Sequence, residues 1–177
     1  TRGSSATYCA IKTKNEGLSV PRRTKKIPRY FEDLKIGEFW EAPSRTHSEA
    51  LFYAFQLVSG DNRPLHYDME YCKSLGLPGL LAHGYQVLAQ CAPGASDMSR
   101  GETEVRILGM LETSAKFLKG VYSGDTLYPG LEIVELIEQN TTGVMVLRTT
   151  VHNQKNELCL DGELRMLVAK RARDEAA

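Results

Sequence analysis

The chain has 177 residues, 42% apolar and 25% charged, with 22 basic residues balancing 22 acidic ones. That length suits one well-buried domain and is short for two, and the composition is that of a globular chain rather than a disordered or fibrous one. The apolar runs are far shorter than the ~20 residues of a spanning helix, and Cys9, Cys72, Cys91 and Cys159 lack the CxxC or Cys/His spacing of a zinc or redox centre.

Charge is unevenly placed. Residues 1–29 carry eight basic residues and one acid, Glu16, so the remainder, with 21 acids and 14 bases, is net acidic by seven. The basic arm has few apolar residues, no helical period and the pairs Val20-Pro21 and Ile27-Pro28. A loosely held extension over residues 1–29 is expected before a domain over 30–177, with no nucleic-acid or membrane partner. No charged-then-apolar segment opens the chain, so a cytoplasmic protein with reduced cysteines is expected.

Dense apolar content begins near Tyr30, and Lys35-Ile36-Gly37 reads as a turn into a short strand through Trp40. Thr46 with Glu49 has the capping-box spacing, and Leu51, Ala54, Phe55 and Val58 mark one face of a helix that stops at Ser59-Gly60. A polar loop over Asp61 to Asp68 precedes a short helix around Met69 to Leu75 and a turn at Gly76 to Gly79. From Leu80 to Ala92 the chain is apolar almost all round, which predicts a helix covered on most sides and stopped by Pro93-Gly94. The period then changes to two: Val105 to Phe117, Leu131 to Ile137, Val144 to Val151 and Leu158 to Val168 predict four strands. Turn signals at Ser123-Gly124-Asp125, Gln139-Asn140 and Asn153 to Asn156 make them an antiparallel meander. Helices first and strands later imply an α+β domain, an antiparallel sheet wrapped around the apolar helix.

The densest polar segment, Ser59 to Asp68, directly follows a helix. A carboxylate, Asp61, and an imidazole, His66, five residues apart on a proline-stiffened loop can converge on one water molecule. Hydrating an enoyl thioester needs a base to deprotonate water and an acid to protonate the α-carbon, which Asp and His supply near neutral pH. It also needs donors for the enolate oxygen. Unpaired backbone N–H groups at His83-Gly84, the head of the apolar helix, suit that role.

The stretch from Phe55 to Asp68 resembles the signature of R-specific enoyl-CoA hydratases and MaoC-like dehydratases: an aromatic, then Ser/Thr-Gly-Asp-x-Asn-Pro-aliphatic-His-x-Asp. Asp61, Pro64, Leu65, His66 and Asp68 fall on it in register, Leu81-Ala82-His83-Gly84 is similar to the family's aliphatic-Ala/Val-His-Gly element, and Val121 to Leu127 resembles its Gly-Asp-Thr-Leu strand start. The resemblance spans roughly Tyr30 to Lys170. It implies a hot-dog fold, a homodimer with CoA along the subunit junction, catalytic Asp61 and His66, a Gly84 amide on the thioester carbonyl, and no cofactor or metal beyond the CoA of the substrate. Two positions depart from the pattern. Arg63 stands where the family has Asn before the proline, with Asn62 one place earlier, and Tyr85 replaces a common Met.

Asn62 and Arg63 are candidate substrate contacts, and Arg63 could read a second substrate carboxylate or a CoA phosphate, or point to solvent. His83 reads as holding the helix start as well as lining the substrate position, and His47 and His152 as surface or capping residues. The expected function is reversible hydration of a 2-enoyl-CoA to a 3-hydroxyacyl-CoA. A hot-dog acyl-CoA thioesterase and a non-catalytic acyl-CoA binding subunit are the alternatives.

Overall fold

The computed structural model describes residues 26–96, 98 and 101–171. Most of the basic arm, and Cys9 with it, lies outside these residues. In chain order the elements are β1 (Ile27–Arg29), β2 (Phe39–Glu41), β3 (Arg45–Thr46), α1 (Glu49–Ser59), α2 (Met69–Ser74), α3 (Gly84–Leu88), β4 (Thr103–Val105), β5 (Ile107–Phe117), β6 (Thr126–Glu138), β7 (Thr142–Asn153) and β8 (Leu158–Ala169). Among the described residues, β1 pairs in parallel with β4 from Ile27 onward.

The main sheet has the order β2-β6-β7-β8-β5, with β3 added to β6. All its pairings are antiparallel. Tight turns close the predicted meander. Gln139 N–H donates to Thr142 O (3.0 Å) between β6 and β7, and Asn153 Oδ1 accepts from Lys155 and Glu157 N–H between β7 and β8. Asn156 sits there at φ 59°, the left-handed conformation that asparagine tolerates best after glycine.

Register places Leu131, Ile133, Met145, Leu147, Leu164 and Met166 on one face, where they form a buried cluster. A second cluster further along the same meander joins Leu127, Val151 and Leu160 to Val87 and Cys91 from α3 and the 3-10 turn after it, and to Phe52 of α1. This is the α+β hot-dog architecture, with the buried side of α3 and the 3-10 turn after it packed against the sheet. Cys72, Cys91 and Cys159 are buried free thiols.

Four expectations need correction. Thr46 does not cap α1: it lies in β3, its hydroxyl 2.8 Å from that of Thr126, and Ser48 is the N-cap residue. Strand pairing to β6 claims Arg45 and Thr46 and delays the helix. On α1 the buried residue is Phe52, whereas Val58 of the predicted inner face is 86% exposed. The helix sits at the rim of the domain rather than across its core.

The apolar helix is also shorter than its composition suggests. Leu80 to Ala82 run extended, with Ala82 N–H donating to Val121 O (2.8 Å) and Ser123 N–H to Leu80 O (2.9 Å), before five helical residues and a 3-10 turn over Ala89–Cys91. Apolar residues in a strand buried on both faces look the same, by pattern, as those in a buried helix. Finally, His47 is no surface residue. It is fully enclosed, edge-on to Phe52, and neither ring nitrogen has a hydrogen-bond partner among the described residues.

Candidate active site

Gly60 ends α1 in the left-handed conformation (φ 69°), its amide donating to Gln56 O (2.8 Å), and so turns the chain sharply into Asp61. Asp61 Oδ1 then accepts from Arg63 N–H (3.1 Å), a local side-chain turn that directs Oδ2 elsewhere. Pro64–His66 form one 3-10 turn with proline at its first position, where a missing N–H costs nothing. Asp68 accepts from Glu70 and Tyr71 N–H (2.9 and 3.0 Å) and caps α2. His66 is thereby the last residue of one defined turn, with the capped start of α2 following closely.

The extended segment before α3 supplies the opposite wall. Leu81 N–H donates to Leu65 O (3.1 Å), and the Leu81 carbonyl accepts from His66 Nδ1. A carbonyl can only accept, so His66 carries its proton on Nδ1 and, when neutral, presents the Nε2 lone pair. His83 follows as the N-cap residue of α3.

These turns bring three side chains together. Asp61 Oδ2 lies 3.9 Å from His66 Nε2 and 3.6 Å from His83 Nε2, both just beyond a direct hydrogen bond. The two imidazoles stack, with centroids 3.6 Å apart and planes at 21°, and both are buried. Two positive rings at that distance would repel by roughly 4 kcal/mol at an effective dielectric near 20, so the stack tolerates one added proton far better than two. Burial, and then His66, lower the pKa of His83. Burial, and then the Asp61 carboxylate, raise that of the Tyr67 hydroxyl, which lies 3.1 Å from His83 Nε2.

Asp61, His66 and His83 are also the side chains that could offer three ligand atoms to one metal ion, all within 4.8 Å of one another. The donor set fits such an ion poorly. Near-parallel rings aim their Nε2 lone pairs side by side rather than at a shared point, and Tyr67 already occupies that of His83. What the arrangement suits instead is a small polar molecule held between Asp61 and His66.

Gly84 is the first residue of α3, where a backbone N–H has no acceptor within the helix. It borders a cavity of about 340 Å³ lined also by Leu81, Val87, Phe117 and Lys119. A β-carbon at Gly84 would come within 3.0 Å of the Phe117 ring, so packing alone is one reason for glycine there.

With this geometry in view, the MaoC like domain matches residues 33–155. The chain belongs to the MaoC-like dehydratase family. Among curated relatives it is 30% identical, over 84% of its own length, to the peroxisomal enoyl-CoA hydratase 2 of Arabidopsis thaliana, and it spans only 40% of that protein. Among solved structures it superposes with TM-score 0.74 on a monoamine oxidase regulatory protein from Archaeoglobus fulgius, at 29% identity and covering 84% of this chain and 99% of that one. A Mycobacterium tuberculosis protein with a double hot-dog fold aligns with TM-score 0.71 at 28% identity, covering 82% of this chain and 46% of that one.

Of the residues singled out by the family pattern, Asp61, His66 and His83 converge, and Gly84 adjoins them through the chain. Asn62 and Arg63 lie on the exposed side of the loop. The Asn62 side chain accepts from the Gln56 amide of α1, and the Arg63 guanidinium has no hydrogen-bond or ion-pair partner among the described residues. Both ring nitrogens of His83 face protein groups, Nε2 the Tyr67 hydroxyl and Nδ1 the Gln86 side chain. Tyr67 and Gln86 are the residues that reading by motif missed. Gln86 stands three places after His83, the spacing of neighbours on a helix face, which is the signal that could have found it.

Proposed function

We propose that this chain is a hydro-lyase that adds water reversibly to a 2-enoyl-CoA thioester to give a 3-hydroxyacyl-CoA. The observation that carries this reading is the approach of Asp61 Oδ2 to His66 Nε2, 3.9 Å, with the other nitrogen of His66 tied to the Leu81 carbonyl. In the forward direction Asp61 takes a proton from water as its oxygen bonds to the β-carbon. The π electrons move onto the thioester oxygen, where the Gly84 N–H receives the developing enolate. His66, protonated on Nε2, delivers a proton to the α-carbon, and transfer from Asp61 back to His66 restores the starting state. The R configuration of the product rests on the resemblance alone. No cofactor beyond the substrate's own CoA is invoked. Family membership and the enoyl-CoA hydratase 2 relative support the reaction class.

A homodimer is part of the proposal. Strand β5 pairs only with β8 among the described strands, and Met110, Leu111 and Phe117 on it are each more than half exposed. An unpaired apolar edge of that length favours pairing with a second copy, which would bring the CoA moiety to the junction.

Purified protein should deplete the enoyl-thioester absorbance of crotonyl-CoA or a longer enoyl-CoA. Asp61→Asn should lower the rate by about a hundredfold or more. Unchanged turnover in that variant would defeat the assignment of the base, and release of free CoA, detected with a thiol reagent, would point to a thioesterase instead.

A further inference from the structure

Asp61 is the least constrained group of the site. Its side chain is 40% exposed, and among the described residues only Oδ1 has a hydrogen-bond donor. The direction of Oδ2 therefore depends on the two imidazoles it faces, and the nearer is His83 rather than His66. If His83 carried a proton on Nε2, a small rotation of the carboxylate would make a direct hydrogen bond to it, turning Oδ2 away from His66.

The two rings are anchored by different means. His66 is tied to a backbone carbonyl on a segment that Leu65 and Val121 hold in turn. His83 is held by side chains alone: Gln86 Oε1 lies 3.5 Å from Nδ1 and the Tyr67 hydroxyl 3.1 Å from Nε2. With an acceptor at Nδ1, the ring's own proton belongs on Nδ1, and Nε2 is a bare lone pair only 3.6 Å from a carboxylate oxygen. Two lone pairs so close repel unless a proton stands near them, and the Tyr67 hydroxyl is positioned to supply it. The Tyr67 ring is itself braced, stacked on Tyr53 of α1 with centroids 6.2 Å apart and planes at 24°. Phe55 packs on His83 with its centroid at 4.9 Å. The hydroxyl is thus presented by a ring with little freedom to leave.

Building on the hydratase reading, we propose that Tyr67 is a positioning residue: by donating to His83 Nε2 it keeps that imidazole in its Nδ1–H form, so that Asp61 Oδ2 stays available to His66 and water instead of pairing with His83. The role is specific to this chain's residues, since the position between the motif histidine and Asp68 is unrestricted in the family pattern. Tyr67 touches no reacting atom in this scheme. It acts through His83, and Gln86 supports it from the other nitrogen.

The decisive variant is Tyr67→Phe, which keeps the ring and its stacking and removes only the hydroxyl. With an enoyl-CoA substrate, kcat should fall about tenfold, the KM should stay within about twofold, and the acidic limb of the pH–rate profile should move to lower pH as Asp61 gains a donor. Nitrogen NMR of the labelled histidines should show His83 as Nδ1–H in the parent and shifted toward Nε2–H in the variant, with a raised titration midpoint. In a His83→Phe background the same substitution should add nothing, because the path through His83 is gone. A Tyr67→Phe protein with unaltered kcat, pH profile and His83 tautomer overturns the proposal, and so does one that merely loses thermal stability with the tautomer preserved. An inactive parent protein defeats the hydratase reading and this role together, whereas an active parent with an unaffected variant defeats this role alone.

Discussion

Through the β6–β7–β8 meander, Leu131, Ile133, Met145, Leu147 and Leu160 are fully enclosed and the backbones pair almost residue by residue. Between Gly60 and Gly84 the elements are one or two turns long, and the position of each is set by a few side-chain bonds such as Asp61 to Arg63 N–H, Asp68 to the start of α2 and His66 to Leu81 O. Burial is non-directional and spread over many contacts, so the meander concentrates stability without fixing any single atom. Directed polar bonds contribute little net stability each but fix atoms to within fractions of an ångström. The site stands on the second kind of region, braced by the first.

That division predicts substitutions that separate stability from turnover. The largest effect on stability is expected for Leu147→Ala, which opens a cavity between β6 and β8 and should cost about 3 kcal/mol, within the usual span of about 2–5. The urea midpoint reports it, and activity per folded molecule at low temperature should stay near that of the parent. Asp61→Asn should behave in the opposite way, with turnover lost and the midpoint nearly unmoved. A large stability loss from Asp61→Asn would erase the contrast between the two regions.

The same contrast governs what could be read from sequence. The meander is legible because a period of two, β-branched runs and turn residues all agree, and register then follows from which face is apolar. The convergence of Asp61 and His66 is legible because both sit in one short loop whose spacing the family pattern shares. What stayed hidden depends on partners distant in sequence. Leu80 to Ala82 are drawn out of the helix by Tyr122 and Val121, about 40 residues on, and Thr46 is taken into the sheet by Thr126. The stack of His66 on His83 and the hydroxyl of Tyr67 arise only when the chain folds back between them, and no periodicity encodes that.

A smaller effect on stability is expected at His47, where the meander's side of the molecule encloses a polar group it does not satisfy. Burial lowers its pKa below the ordinary 6.5, Arg45 adds to this, and Asp125 opposes it. A base whose folded-state pKa is depressed is protonated first in the unfolded chain, so its contribution is neutral above about pH 6.5 and destabilising as pH falls below that value. His83 acts with the same sign, so the informative quantity is a difference. His47→Leu should flatten the acid side of the stability–pH curve relative to the parent while leaving stability at pH 8 within about 1 kcal/mol, because two unpaired buried nitrogens are exchanged for apolar volume. Identical acid limbs in parent and variant would show that His47 finds a partner when charged.

The smallest effect on stability should come from Arg63→Ala, and it divides one residue between the two modes of holding the site. The backbone N–H of Arg63 fixes Asp61 and survives the substitution, while the guanidinium is exposed without a partner among the described residues. Stability should change by no more than about 0.5 kcal/mol, and kcat with crotonyl-CoA by less than about twofold. Any effect should therefore appear in KM. A rise in KM shared by all acyl-CoA substrates and diminished by salt would mean that the guanidinium meets a CoA phosphate, because screening weakens an exposed ion pair. A rise confined to an acyl-CoA bearing a second carboxylate would place it at the acyl end. An unchanged KM for both leaves it a solvated surface charge, and a fall in kcat would mean that the side chain, and not only its amide, holds Asp61 in place.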